Sequence, residues 1–127
     1  MARIMICDDS KVALKLLESN LRSAGHDVVG AGKDGEEGIR IYQETKPDIA
    51  LLDVTMPNKD GRECLEAILK INPAAKVIMI SSLREESLIQ DCLSQGAKAF
   101  IAKSNLYAED GIKKHLLSLI EKILEAA

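Results

Sequence analysis

Ile49-Ala50-Leu51-Leu52-Asp53-Val54-Thr55-Met56-Pro57 is the stretch on which the fold turns. An apolar run ends in an acid, and a proline follows shortly after. Bounded by Pro47 and Pro57, the run is too short for a helix and reads as a strand over Asp48–Leu52. Its apolar residues do not alternate with polar ones, so both faces of its sheet must be covered. That is the pattern of a parallel strand flanked by helices.

The same grammar extends in both directions. Upstream, Pro47 closes a helix over Asp34–Thr45 with Ile39 and Tyr42 facing inward. A weaker strand, suited to a sheet edge, covers Asp27–Ala31. Before it, Ser10–Ala24 reads as a helix whose inner face holds Val12, Leu16, Leu17 and Leu21. Ser10 caps that helix and Gly25 ends it; Ile4–Cys7 is the first strand. Downstream, Pro57–Gly61 is a loop, and Asp60 starts a helix that buries Cys64, Leu65, Ile68 and Leu69 before Pro73 ends it. Lys76–Ile80 is a strand. Glu85–Gln95 is a helix with Leu88, Ile89, Cys92 and Leu93 inward and Gly96 at its C-terminal end. Ala99–Ala102 is the last strand, and a final helix over Asp110–Glu125 turns Ile112, Leu116, Ile120, Ile123 and Leu124 inward. These five β-α units predict an α/β fold: a doubly wound five-stranded parallel sheet with five helices and right-handed crossovers. Among open orders we favour 2-1-3-4-5, the known flavodoxin-like order.

Length and composition bound the function. The chain has 127 residues, enough for one domain spanning 1–127. Hydrophobic residues make up 46% and charged residues 29%, with a net charge of −3. No basic patch argues for nucleic acid, and no polybasic run argues for a membrane surface. Apolar runs fall well short of the roughly 20 residues a membrane span requires. The N-terminus lacks the pattern of a secretory signal. Cys7, Cys64 and Cys92 have no metal or redox spacing and read as buried, inert thiols, which favours a reducing cytoplasm. His26 and His115 read as surface or capping residues, away from any site.

In open α/β sheets ligands bind beyond the carboxyl ends of the strands. Strand 1 is followed by Asp8-Asp9, strand 3 by Asp53, strand 4 by Ser81-Ser82 and strand 5 by Lys103. In the favoured order these strands are neighbours, so three carboxylates, a hydroxyl and an ammonium share one rim. Carboxylates crowded together repel, and one pKa rises unless a cation intervenes. Oxygen-only donors suit a hard cation, and magnesium fits a site that also meets a phosphate. Lys103 suits a phosphoryl oxygen, and a carboxylate can itself become an acyl phosphate.

The ordered set resembles the receiver domains of two-component response regulators. The resemblance rests on Asp8-Asp9-Ser10, Leu51 to Pro57 with Asp60-Gly61, Ile80-Ser81-Ser82, Gly96-Ala97 and Ala99-Phe100-Ile101-Ala102-Lys103, and it spans essentially the whole chain. Chemotaxis receivers are a known instance of the 2-1-3-4-5 order, so the preference for that order comes with the resemblance. The resemblance implies that Asp53 is the phosphoacceptor, served by a histidine kinase or a phosphotransfer protein. It implies that Asp9, Asp53 and the Thr55 carbonyl contact Mg2+, with Asp8 acting through water. Ser81 and Lys103 would hold the phosphoryl oxygens. Phe100 matches the aromatic switch position, and Thr55 and Leu83 match positions that tune phosphoryl lifetime. A protein target would bind through helix 4, strand 5 and helix 5, by a monomer or a phosphorylation-linked dimer. Such a domain is a signalling phosphoprotein that assists its own phosphorylation and dephosphorylation, with no other enzymatic activity.

One residue departs from the family pattern. Receivers usually carry proline after the active-site lysine, often preceded by a cis bond; here Ser104 follows Lys103. A cis bond before a non-proline residue costs roughly 2.5–4 kcal/mol, so a trans bond is expected, with a slightly long loop over Ser104–Glu109. The departure keeps open a pseudo-receiver that acts as an unphosphorylated interaction module. An aspartyl-phosphate phosphatase would need a second acid where Thr55 stands. A flavodoxin-like cofactor binder would not place Asp8-Asp9 where a ligand phosphate sits.

Overall fold

The computed structural model describes residues 1–83 and 85–126. Within them β1 (Arg3–Cys7), β2 (Asp27–Gly32), β3 (Ile49–Asp53), β4 (Val77–Ser81) and β5 (Ala99–Ala102) form one parallel sheet in the order β2-β1-β3-β4-β5. The register sets Cys7 beside Leu52, Asp53 beside Ile80 and Ser81 beside Ala102. The carboxyl ends of the central strands therefore finish level with one another.

Strand alternation divides the apolar residues between two cores, one on each face. Ile4, Ile6, Ile49, Leu51, Ile78, Ile80 and Ile101 meet Leu17 and Leu21 of α1 (Lys11–Ser23) and Leu116 and Ile120 near the C-terminus. Met5, Cys7, Ala50, Leu52, Val77 and Met79 face the other way. They meet Tyr42 of α2 (Gly35–Thr45), Cys64, Leu65 and Ile68 of α3 (Gly61–Ile71), and Cys92 of α4 (Glu86–Gln95). Helices on both faces explain why the strands carry so few polar residues.

The helix starts follow the polar residues the sequence supplies. Ser10 Oγ accepts from the Ala13 N–H at 3.2 Å, and an Asp34 oxygen accepts from the Glu37 N–H at 2.9 Å. Asp60 and Glu63 form a reciprocal capping box at the head of α3. Gly61 begins that helix so close to β3 that a Cβ there would collide with the Asp53 carbonyl oxygen. α3 thus starts directly beneath the acid that ends β3.

Two sequence expectations are corrected. First, Val12 and Leu16 do not face inward. They are 76% and 42% exposed, while Ala13, Leu17 and Leu21 form the buried seam of α1. The two residues lie about 100° round the helix from that seam, one position away in sequence. Leu93 of α4 is likewise exposed. Second, the helices number more than five. The segment expected to be a loop after Lys103 folds into a short helix, α5 (Lys103–Leu106). Asp110 then takes a left-handed conformation at φ 57, and a wide π-helical turn (Ile112–Leu117) runs into α6 (Ser118–Glu125). The driving force is Leu106, which is fully buried in the α1-side core and needs a helical turn to reach it so soon after β5. Gly111 permits the return, because a Cβ there would strike the carbonyl oxygens of Asn105 and Leu106.

Candidate functional site: an acidic rim with one buried-side lysine

The carboxyl ends of β1, β3, β4 and β5 deliver the expected side chains to one rim. Asp8 and Asp53 are buried and Asp9 is exposed, and one carboxylate oxygen from each lies within 4.8 Å of the others. Asp8 follows β1 because its N–H continues the sheet, donating to the Gly32 carbonyl at 3.0 Å. Its Oδ1 accepts from the Ser10 N–H at 2.9 Å, which ties the acid pair to the head of α1. Asp53 is the last residue of β3, and the Val54 N–H donates to Ile80 O at 2.9 Å, so β4 holds it in place.

Lys103 reaches into this cluster. Its Nζ stands 3.1 Å from Asp8 Oδ2 and 3.2 Å from Asp53 Oδ2, with the lysine side chain 22% exposed. The bond before Ser104 is trans, as expected, since no described peptide bond is cis. Lys103 is the first residue of α5 and reaches both acids from there. Burial disfavours the charged ammonium, but Asp53 and Asp8 outweigh it and hold its pKa above the ordinary value.

One cation does not balance the acids. Burial, and next the charge of Asp8, push the Asp53 carboxyl up to about 6, although Lys103 and the Thr55 N–H pull the other way. The Thr55 N–H donates to Asp53 Oδ1 at 3.4 Å, which places that backbone beside the acid. Asp8 Oδ2 is buried and accepts no well-directed hydrogen bond among the described residues; its contact there is the ion pair with Lys103. Three carboxylates facing one ammonium, one of them resisting ionisation, are a donor set short of positive charge. Three carboxylates and a neighbouring peptide fit a small divalent cation with oxygen preference, and the absence of thiolate or imidazole from the cluster fits magnesium better than zinc.

Ser81 and Phe100 lie on the neighbouring strands β4 and β5. Ser81 ends β4 and is fully buried, and its Oγ accepts from the Leu83 N–H at 2.9 Å. The hydroxyl is thus engaged by its own loop. Phe100, opposite Met79 across the β4–β5 pair, is partly buried against the α2-α3-α4 side core. The three cysteines are free and buried, and burial raises the thiol of each, to about 12 for Cys64, which disfavours the reactive thiolate. His115 is exposed, whereas His26 accepts from the Ala2 N–H at 3.1 Å.

Tyr107 was not foreseen. It shares a cleft with Lys103, Ser10, Val12, Ala13 and Leu16, and burial, followed by the charge of Asp8, raises its phenol pKa. In the sequence it is an aromatic in a polar stretch, with no strand end to flag it. Only the helical turn of α5 brings it to the rim.

Comparison with known proteins identifies the family. CheY of Thermotoga maritima is 36% identical over 101 residues, 80% of this chain and 84% of that protein. CheY of Listeria monocytogenes is 37% identical over 103 residues, 81% of this chain and 87% of that protein. Among solved structures, a CheX–CheY–BeF3–Mg2+ complex from Borrelia burgdorferi contains a chain that superposes with a TM-score of 0.85 at 37% identity, covering 93% of this chain and 88% of that one. No described helix is long and apolar enough to cross a membrane. The model of the response regulator receiver domain matches residues 4–116, and with the sheet order and relatives above it places this chain in that family of two-component signalling proteins.

Proposed function

We propose that the chain, as a single domain, is a phosphorylatable switch that takes a phosphoryl group on Asp53 in a magnesium-dependent reaction. The observation that carries this reading is the Lys103 ammonium lying between Asp8 and Asp53 in an acidic cluster still short of positive charge. A carboxylate oxygen of Asp53 attacks the phosphorus of a phosphohistidine on a histidine kinase or phosphotransfer protein. The P–N bond breaks, an O–P bond forms, and the departing imidazole takes up a proton. Asp9, Asp53 and the Thr55 carbonyl would hold Mg2+, with Asp8 acting through water; bound there, the ion would neutralise the charge that builds on the phosphoryl oxygens. Lys103 and the Ser81 hydroxyl take the remaining phosphoryl oxygens. The Ser81 Oγ already accepts from the Leu83 N–H, and its own O–H remains to donate to a phosphoryl oxygen, so phosphorylation would draw on the loop after β4 through this one side chain. The face of α4, β5 and the final helix then presents a changed surface to a protein target. The reduced, buried cysteines favour a cytoplasmic setting.

Intact mass after incubation with phosphoramidate and Mg2+ tests this reading. A magnesium-dependent phosphoryl adduct on the wild type and none on Asp53→Asn is expected. No adduct on either protein, beside a working control receiver, would favour the pseudo-receiver. The ground for that alternative was Ser104, and an ammonium 3.2 Å from Asp53 counts against it.

A further inference from the structure

Lys103 has to be held in place. Its long stem carries about 2 kcal/mol of rotamer entropy, and two carboxylates alone fix only its tip. The backbone supplies one constraint: the Tyr107 N–H donates to the Lys103 carbonyl at 2.9 Å and closes α5 on itself. Leu106, buried beside it, anchors that turn in the core. The side chain of Tyr107 is the neighbour from which a second could come. It lines, together with Lys103, a cleft of about 250 Å3 that Ser10, Val12, Ala13 and Leu16 at the head of α1 also line. The phenol lies in the field of the site: beyond burial, Asp8 raises its pKa, Lys103 lowers it and Asp53 raises it. The phenol is neutral and amphipathic, and its residue lines the same cleft as Lys103. A further cleft, between α1 and residues 106–113, is also lined by Leu16 and Tyr107. Tyr107 thus lines both clefts, with 37% of its surface exposed.

We propose that Tyr107 is a positioning residue for Lys103, its ring packed along the lysine stem so that the ammonium stays between Asp8 and Asp53. The inference deepens the phosphorylation reading and rests on it for its kinetic consequence. The ring and the α5 turn do this work in a chain that has Ser104 in the position after the lysine. The phenolic hydroxyl is dispensable for it; the flat apolar face is what matters.

Two measurements test the assignment. The first needs no phosphorylation. The chain has two tyrosines and one phenylalanine, so ring signals assign readily. Nuclear Overhauser contacts from the Tyr107 ring to the Lys103 methylenes are expected, with ring-current shifts that persist in Tyr107→Phe and vanish in Tyr107→Leu. Their absence overturns the inference whether or not the protein accepts phosphate. The second is a double-mutant cycle on the phosphorylation rate with phosphoramidate and Mg2+. Tyr107→Ala should lower the maximal rate about tenfold, Tyr107→Phe should stay within about twofold, and Tyr107→Ala should cost nothing further on a Lys103→Ala background. Equal losses on both backgrounds overturn the inference. A wild type that takes no phosphate would instead overturn the parent reading, and the ring contacts would still decide this one.

Discussion

Asp53 shows how a single residue couples folding to function. Its carboxyl is raised to about 6 in the folded chain, above roughly 3.9 in an unfolded one. The fold therefore prefers the protonated acid. That preference stabilises fully below about pH 4 and is lost as pH rises through about 6. At pH 7.5, without divalent metal, the ionised acid is a burden. Asp53→Asn is expected to be more stable than the wild type by about 1–3 kcal/mol in urea melts with EDTA, the gap closing below pH 5. A gap that is constant with pH would place the strain elsewhere. Lys103→Met should do the reverse: it leaves Asp8 and Asp53 without their cation, costs about 1–3 kcal/mol at pH 7.5 and lifts the Asp53 carboxyl further. Millimolar Mg2+ should recover most of that loss, read as a rise in Tm. Asp8, Asp9, Asp53, Ser81 and Lys103 were legible in the sequence because each follows an apolar run, and parallel strands end on one rim. Tyr107 was not legible, since its place depends on a turn built around a buried leucine that lies outside the strand pattern.

At the scale of elements, the start of α3 is the most constrained junction. Gly61→Ala drives a methyl group into the Asp53 carbonyl oxygen, which belongs to backbone and cannot swing aside. A loss of more than about 2 kcal/mol is expected by chemical denaturation, together with slower phosphorylation. Asp60→Ala removes the capping box one residue earlier and should cost only about 1 kcal/mol, leaving the rate nearly unchanged. If the two variants behaved alike, helix capping and not close approach would govern the junction. Prolines and glycines made most element ends readable: Pro47, Pro73, Gly25 and Gly96 each stand at or just beyond a helix terminus. The stretch after Lys103 was not readable in this way. Its residues are mostly polar, and one buried leucine gives no period. The inner face of α1 was misread for a related reason: Val12 and Leu16 complete an apolar stripe, but the sheet covers only the part of it centred on Leu17 and Leu21.

Across the whole molecule the five strands form a partition with two sealed chambers. Ile4, Ile6 and Leu51 belong to one and Met5, Cys7 and Leu52 to the other. Amide hydrogen exchange should be slowest in β1, β3 and β4, which have neighbours on both sides, and faster in the edge strands β2 and β5. Truncations on opposite faces, such as Leu17→Ala with Leu65→Ala, should add in their effect on stability to within about 0.5 kcal/mol, because the side chains share no cavity. This has a consequence for inheritance. Packing on one face sets few terms for packing on the other, so a lineage can rewrite the α1 side for a new neighbour while the α2-α3-α4 side passes on unaltered. The two halves of such a molecule can keep different evolutionary clocks while sharing one sheet.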